Sequence, residues 1–213
     1  MLLGYERLKG LVLTIGVRVY LANVLNIPTL RACWRHSLAC AVVAEDAAVA
    51  TFVAQSKARA YVDKDAAYTA GIIHDLGRLA LAKSRPMEYA DLLIGAESGP
   101  CDVLAREREL FGIDHCQAGR SLVQAWKLPA EFIEIASGHH GDICDRPFDA
   151  LAVVHFSCLM ADALGFQVVN SVNFRSYEEL LSNLPERERQ HFCAKREEYA
   201  SRVAGRIDSL ESI

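Results

Sequence analysis

The amino-acid sequence predicts an all-α protein, folded as one bundle of packed helices. Apolar residues recur three and four positions apart along most of the chain, which is the spacing of one helix face. The stretch from Val168 to Phe174 has the only β character, and it is too short and isolated to build a sheet. The chain has 213 residues, of which 52% are hydrophobic, so it can bury a sizeable core.

The composition excludes several classes of function. The net charge of -4 offers no basic face to a nucleic-acid backbone, which argues against a nucleic-acid partner. The 7 cysteines are dispersed and include no CxxC pair, which indicates reduced thiols and excludes a zinc ribbon. No segment has the pattern of a signal peptide or the roughly 18 apolar residues of a membrane-spanning helix. We therefore expect a cytoplasmic protein with no membrane association.

Two helices are predicted before the most distinctive motif. Helical spacing from Leu8 to Leu25 predicts the first, and Pro28 closes it. Thr29 is a suitable N-cap for the second, an alanine-rich helix that contains His36 and runs to about residue 55.

The next predicted helix delivers a histidine and a carboxylate side by side. Asp65 is its expected N-cap, and the chain is expected to turn at Gly77. Between them, His74 and Asp75 directly follow an apolar run. Adjacent helical residues point about 100° apart, so these two side chains cannot share a face, yet both can reach one cation at the helix end. The alternative is a buried His-Asp pair that merely caps a helix.

Turn residues and caps place the remaining helices. Gly112 is expected to end one helix, and Asp114 to cap the next. Gly165 is expected to end an apolar helix that carries Asp162. These helices are predicted over residues 86–94, 101–111, 115–126, 130–138 and 149–164, with one or two charged amphipathic helices in the tail from 176 to 213.

Several further ionisable side chains interrupt apolar helix faces or lie near a helix end. Burying them is costly without a common partner, whereas one divalent cation satisfies a whole cluster. Imidazole with carboxylate and no thiolate favours Fe, Mn, Zn, Ni or Co. Two ions bridged by Asp75 would suit phosphoester hydrolysis, because one ion holds the nucleophilic hydroxide while the other screens the phosphate. The candidate metal ligands are His36, His74, Asp75, His115, His139, His140 and Asp162.

The order of these residues resembles that of the HD superfamily of metal-dependent phosphohydrolases, in which a histidine, a His-Asp pair and an aspartate follow one another. The chain is more specifically similar to the HDOD domain, a regulatory relative in that superfamily. The stretches that carry this second resemblance are Glu107 to His115, Trp126 to Pro129, and the pair His139-His140.

The resemblance implies an HD-domain-like bundle of helices and a domain organisation. The HDOD-like core would cover residues 1–170, and residues 171–213 would form a helical extension packed on it. HDOD domains usually begin with a bundle of several helices, and residues 3–19 resemble the helix that closes that bundle. We therefore expect a core that is shortened at its N-terminus.

The resemblance also implies roles for individual residues. By position, a first metal falls to His36, His74, Asp75 and Asp162, and a second to His115, His139 and His140, with Asp75 as the bridge. In a hydrolase, Asp75, His115 and Arg78 would be the catalytic residues, because Asp75 would hold the bridged ions and His115 or Arg78 would steady the developing charge.

Three departures separate this chain from the catalytic HD-GYP phosphodiesterases. Arg78 stands where those enzymes carry a lysine, and Asp142 to Asp145 replace the GYP signature. Ala32 replaces a glutamate that some of them use for a third metal. These departures argue against cleavage of a cyclic dinucleotide.

Structural explanations remain open for each candidate. His115 could belong to an N-cap pair, and His139 and His140 could favour the negative end of a helix dipole. Arg78 could bind phosphate or pair with a helix-end carboxylate. Trp34, Trp126 and Cys116 are assigned to the core.

Two functions fit the sequence. The favoured one is a bacterial signal-transduction module that contacts partner signalling proteins and binds one or two divalent metal ions. The alternative is a metal-dependent phosphohydrolase that acts on a nucleotide or another phosphoester. Apolar surface left by a missing N-terminal bundle would also favour a homodimer.

Overall fold

Helices make up the regular structure of the described part of the chain. The computed structural model describes residues 5–54, 62–97, 102–141, 149–170 and 174–212. No strand occurs within these ranges, which confirms the all-α prediction; residues 171–173 of the β-like stretch lie outside them. The helices are α1 (Tyr5–Leu21), α2 (Pro28–Ala54), α3 (Lys64–Ile73), α4 (Leu76–Ser84), α5 (Pro86–Glu97), α6 (Val103–Phe111), α7 (His115–Ala125), α8 (Ala130–Gly138), α9 (Ala150–Ala161), α10 (Tyr177–Ser182), α11 (Glu186–Arg189) and α12 (Arg196–Glu211), with a π-helical turn (Asp162–Phe166) after α9.

Helix α2 runs through the centre of the molecule. Every residue from Leu38 to Ala44 is 0% exposed, because α3, α9 and α12 all pack against this helix. Its many alanines allow the surrounding helices to approach closely, since the interaxial distance depends on the side chains at the contact. Helix α2 is therefore the central buried helix against which the other helices pack.

Two glycines fix the close approach of the helices that carry the site. A Cβ atom on Gly71 of α3 would lie 2.4 Å from Cα of Ala41 on α2. A Cβ atom on Gly77 of α4 would lie 1.9 Å from the main-chain oxygen of His115 on α7. Both separations are far below van der Waals contact, so only a residue without a side chain fits at either crossing.

A smaller layer of helices covers one side of the site. Helix α7 packs on both α4 and α8, and α8 also contacts α3 and α9. An apolar cluster shared by α3, α7, α8 and α9 consists of Ala70, Ile73, Val123, Phe132, Ile135, Ala136, Leu151 and Val154. Ile73 of this cluster directly precedes His74 of the candidate site.

The C-terminal helix α12 lies along α2. Tyr199, Val203 and Ile207 are each 0% exposed on its inner face. Asp46 of α2 accepts hydrogen bonds from the Tyr199 hydroxyl and from Arg202, each at 3.0 Å. The domain boundary at residue 170 stays a prediction.

Several predicted helix ends are confirmed. Gly112 ends α6 with a φ of 79°, in the left-handed region that favours glycine. Asp114 caps α7, and the Gln117 side chain accepts a hydrogen bond from the main-chain N–H of Asp114, which completes a capping box. Helix α8 covers residues 130–138 as expected.

Two predictions near the central motif are wrong. Asp63, and not Asp65, caps α3: its carboxylate accepts the main-chain N–H groups of Asp65 and Ala66 at 3.0 and 2.9 Å. The helix thus begins at Lys64, two residues earlier than expected. The chain also turns at His74 and Asp75, because Gly77 already lies in the first turn of α4 and serves helix packing.

Other corrections concern exposure and helix length. Trp34 is a core residue at 1% exposure, but Trp126 is 44% exposed at the end of α7, where Lys127 turns the chain with a φ of 54°. Gly95 lies inside α5, since a helix tolerates a single glycine at a modest cost. The first helix ends at Leu21, and the tail forms three helices around Pro185 and residues 190–195. None of the helices in the described ranges has the length and hydropathy needed to cross a membrane.

Candidate metal centre

The His74-Asp75 pair forms the junction between α3 and α4. His74 is the last residue with helical geometry in α3, and its Nδ1 donates to the main-chain oxygen of Gly71 at 2.7 Å. Asp75 precedes α4 with φ -102° and ψ 17°, and its carboxylate does not cap that helix. The carboxylate is therefore available to the interior, where Asp75 is only 1% exposed.

Four histidines share one arrangement around this junction. In each, Nδ1 contacts an oxygen that can only accept a hydrogen bond, so Nδ1 carries the proton when the ring is neutral and Nε2 is left with a lone pair. Such an outer partner is typical of metal-binding histidines, because it fixes the tautomer and the ring orientation. The pairs are His36 with Phe166 O at 3.0 Å, His74 with Gly71 O at 2.7 Å, His139 with Ile135 O at 3.2 Å, and His115 with Glu107 Oε2 at 2.6 Å.

Three of these Nε2 atoms surround the Asp75 carboxylate. The distances are 3.4 Å from His139 and 3.5 Å from His115 to Oδ1, and 3.7 Å from His74 to Oδ2. Nε2 of His74, Nε2 of His139 and Oδ1 of Asp75 are buried and have no hydrogen-bond partner in the structure. Buried polar atoms are nearly always paired, so this convergence of unpaired atoms fits a bound cation. His74, Asp75 and His139 place one donor atom each within 4.8 Å of the others.

Arg78 places a fixed positive charge at the same carboxylate. Its Nε lies 2.8 Å from Oδ2 of Asp75, an ion pair in which the N–H is not aimed at the oxygen. Burial alone would raise the pKa of Asp75, but Arg78 and His74 more than offset it and hold the pKa well below its usual value. Nη2 of Arg78 also lies 3.5 Å from Nε2 of His115. Burial and this guanidinium lower the pKa of His115, so its ring is neutral.

Glu107 is a positioning residue that sequence reasoning missed. It is 0% exposed, and its Oε2 accepts from both the main-chain N–H (2.8 Å) and Nδ1 of His115. Its other oxygen accepts from the hydroxyl of Tyr89. A signal was present, because Glu107 opens the stretch that carries the HDOD resemblance, and an isolated glutamate on an apolar face needs a buried partner.

The predicted second ligand group is also brought together. His115, His139 and His140 lie with Cys116 so that their donor atoms are within 4.8 Å of one another. Nε2 of His115 already accepts from Nε2 of His140 at 2.9 Å, since the His115 proton is committed to Glu107. His140 is exposed, whereas the other two histidines are buried. Burial raises the pKa of the Cys116 thiol to about 12, which agrees with an inert thiol.

Asp162 stands apart from the Asp75 corner. Its Oδ1 lies 3.6 Å from Nδ1 of His36, the outward-facing nitrogen of that ring. Burial raises its pKa to about 6. It lines a cavity of about 370 Å³ together with Phe174, Tyr177 and Arg196. Three groups of described residues have donor atoms that converge within 4.8 Å, and none of them contains Asp162.

Two thiols occupy the inward side of His36 instead. Cys40 Sγ lies 3.4 Å from Nε2 of His36 and 3.8 Å from Sγ of Cys158. Burial alone would lower the pKa of His74, but Cys158 and Asp75 outweigh it and raise the pKa to about 9. The surroundings of the His74 ring thus favour a positive charge beside it. No local sequence pattern pointed to these cysteines, because Cys158 is 118 residues away from Cys40.

The fold and the site together define a class of protein. The chain is an all-α bundle in which a His-Asp junction and two further histidines gather around one buried carboxylate, with the donor types to hold a divalent metal. The HDOD family model matches residues 1–141. The chain therefore belongs to the HDOD-domain family.

Two solved structures share the fold of this chain. An HDOD domain protein of unknown function from Geobacter sulfurreducens is 23% identical, with a TM-score of 0.56, and the match covers 84% of this chain and 62% of that one. The MmoQ response regulator from Methylococcus capsulatus str. Bath is 27% identical, with a TM-score of 0.52, over 81% of this chain and 60% of that one. This chain thus spans about three fifths of each of these structures. A search of curated proteins gave no match.

Proposed function

We propose that this protein is a cytoplasmic, bacterial signal-transduction module of the HDOD type, which acts through protein contacts and does not hydrolyse phosphoesters. One relative, 27% identical over 81% of the chain, is named a response regulator, and this supports a role in signalling. The family match to the HDOD domain supports the same role.

The buried Arg78–Asp75 ion pair is the observation that carries this proposal. Hydrolysis by two bridged ions needs both oxygens of Asp75 and an open position for a phosphate. Here the guanidinium already lies 2.8 Å from one of those oxygens. A second cation beside it would meet strong repulsion, because the effective dielectric constant is low in the interior.

Access to the corner is also restricted. Asp75 is 1% exposed, His115 is 0% exposed and Arg78 is 4% exposed. These are the three side chains that a hydrolase would present to the reacting phosphate. Their burial supports a structural or regulatory role for this pocket.

The remaining donors fit one divalent metal ion. His74, Asp75 and His139 would hold it, as their unpaired inward-facing atoms support. A bound ion would act as a Lewis acid in a pocket where the charges of the protein balance one another. Arg78 balances the charge of Asp75, and Glu107 orients the ring of His115.

A hydrolysis assay tests the proposal. Protein loaded with Mn²⁺ or Fe²⁺ is given bis(p-nitrophenyl) phosphate, and nitrophenolate release is compared with that of the Asp75→Ala variant. We expect the two rates to be equal. Turnover by the wild-type protein that Asp75→Ala abolishes would instead establish the phosphohydrolase, with a nucleotide or other phosphoester as its substrate.

We further propose that one contact of the module is with a second copy of itself, through α1. Leu8, Val12, Ile15 and Val19 are 49%, 60%, 41% and 68% exposed. Their spacing of four, three and four residues is that of a coiled-coil seam, which favours a like helix as the partner.

A further inference from the structure

A second group of donor atoms lies beside the Asp75 corner and contains two thiols that the proposed function does not use. Its members are His36 and Cys40 on α2, His74 at the end of α3, and Cys158 on α9. One donor atom from each lies within 4.8 Å of every other. Three separate helices therefore deliver two imidazoles and two thiols to one point.

Both imidazoles direct a lone pair into this group. Nδ1 of His36 donates to Phe166 O and Nδ1 of His74 to Gly71 O, so Nε2 is the free nitrogen of each neutral ring. Nε2 of His74 is buried and has no hydrogen-bond partner. An unpaired nitrogen of this kind is costly unless a ligand occupies the space it faces.

Two separations within this group match the edges of a tetrahedral zinc site. With Zn–S near about 2.3 Å and Zn–N near about 2.0 Å, a regular tetrahedron has S···S edges of about 3.8 Å and N···S edges of about 3.5 Å. The Cys40–Cys158 Sγ separation is 3.8 Å, and Nε2 of His36 lies 3.4 Å from Cys40 Sγ.

Charge also favours zinc at this position. Two thiolates neutralise one Zn²⁺ ion, so the complete site carries no net charge into the interior. Cys40 is 0% exposed and His74 is 1% exposed, which makes a neutral site far less costly than a charged one. Thiolate ligands select zinc over the manganese that carboxylate-rich sites prefer.

We propose that His36, Cys40, His74 and Cys158 form a structural zinc site that joins α2, α3 and α9. Four protein ligands complete the tetrahedron, so no position is left for water or substrate. The site goes beyond the proposed function and does not depend on it. His74 has one free nitrogen, so zinc here competes with an ion at Asp75 and His139 for that ligand.

Cobalt substitution tests the site in the unmodified protein. Protein purified under reducing conditions is assayed for zinc, and the zinc is then exchanged for Co²⁺. We expect one zinc per chain, and an intense thiolate-to-cobalt charge-transfer absorption in the near ultraviolet. Cobalt that binds without this absorption would overturn the proposal, whatever the variants do.

Cysteine variants identify the ligands. Cys40→Ala and Cys158→Ala should each weaken cobalt binding by at least about tenfold, since loss of an outer partner alone costs about 10–100-fold. Cys33→Ala is the matched control, because Cys33 is equally buried on α2 and donates only to Thr29 O. Unchanged affinity and absorption in both test variants would rule the site out.

Two further measurements separate this site from the Asp75 corner. Asp75→Asn should keep the thiolate absorption, and its loss in that variant would place the ion at Asp75 and contradict the proposal. A chelator should lower the melting temperature of wild-type and Cys33→Ala protein but not of Cys158→Ala, because structural zinc contributes directly to folding free energy. Failure of either result would leave the hydrolysis assay, and thus the proposed function, unaffected.

Discussion

Arg78 and Asp75 are two full charges withdrawn from solvent, at 4% and 1% exposure. A buried ion pair is weak evidence for stability, but removing one partner is strongly destabilising, because it strands the other charge. The Arg78 guanidinium therefore allows the Asp75 carboxylate to stay buried and ionised at the junction of α3 and α4.

We predict that Arg78→Ala destabilises the metal-free protein by about 3–5 kcal/mol. The measurement is urea denaturation in the presence of a chelator. Added Mn²⁺ should restore part of the loss in the variant, because the carboxylate regains a cation, and should do little for wild-type protein.

Arg106→Ala is the control for this prediction. Arg106 pairs with Glu109 at 3.7 Å, but the two side chains are 67% and 71% exposed. Its removal should change stability by less than about 0.5 kcal/mol. If both variants behaved alike, the Arg78–Asp75 pair would have no special energetic role.

Among the helix contacts, the crossing of α4 and α7 requires a glycine at position 77. Gly77→Ala should destabilise the protein by about 3 kcal/mol or more, because the new Cβ would meet His115 O at 1.9 Å and must push the helices apart. Thermal denaturation followed by circular dichroism measures the loss.

Gly95→Ala provides the opposite expectation. Gly95 lies within α5, and a Cβ there meets nothing within 4 Å. Alanine should stabilise that helix by about 0.5–1 kcal/mol. A similar loss in both variants would mean that the spacing of α4 and α7 is not limiting.

The exposed stripe on α1 makes a prediction about assembly. Wild-type protein should sediment as a dimer at high concentration, and Val12→Glu with Val19→Glu should be a monomer, since charges would enter the seam. Met87→Glu changes an equally exposed apolar residue (63%) on α5 and should leave the dimer intact. A wild-type monomer at every concentration would refute the contact.

Local chemistry explains which elements the sequence could predict. Asp114 with Gln117 and the left-handed Gly112 act within one turn of chain, so their effect can be anticipated from neighbouring residues. The choice of Asp63 over Asp65 is also local, but both residues satisfy the same capping pattern. The packing of α3 on α2 at Ala41 is different, because it depends on an element distant in the chain.

The same distinction applies to the site. The histidines and Asp75 could be proposed from their order along the chain, which the resemblance made meaningful. The contact of Cys40 with Cys158 and the support that Glu107 gives to His115 arise only when helices meet. The contact of Asp162 with the outward side of His36 likewise joins two elements that are distant in the chain.

For the molecule as a whole, ion pairs fasten the last helix to α2. Glu211 accepts from Arg31 at 2.9 Å and also pairs with Arg35, and its side chain is 12% exposed. Burial alone would raise the pKa of Glu211, but these two arginines outweigh it and lower the pKa.

The lowered pKa sets the sign of a pH effect. The folded state holds the ionised carboxylate more strongly, so this stability is present above the unfolded pKa of about 4.3 and is lost as pH falls through the folded pKa. Glu211→Gln should therefore cost up to about 1 kcal/mol at pH 7 and little at low pH, measured by denaturation at both values.

Glu197→Gln is the comparison for this effect. Glu197 is 79% exposed and lies 3.9 Å from Arg196, so its removal should cost little at either pH. A difference between Glu211→Gln and wild-type protein that did not depend on pH would argue against an electrostatic role for Glu211.

The π-helical turn at Asp162–Phe166 links two regions that are far apart in sequence. Gly165 adopts a φ of 96° within it, and this kink brings Phe166 O to Nδ1 of His36. Nε of Arg196, the first residue of α12, donates to Ala163 O of the same turn at 2.6 Å. We therefore expect a displacement of α12 to disturb the segment that orients the His36 ring, and a change around that ring to disturb the start of α12. The turn thus connects the start of α12 with the buried ring of His36.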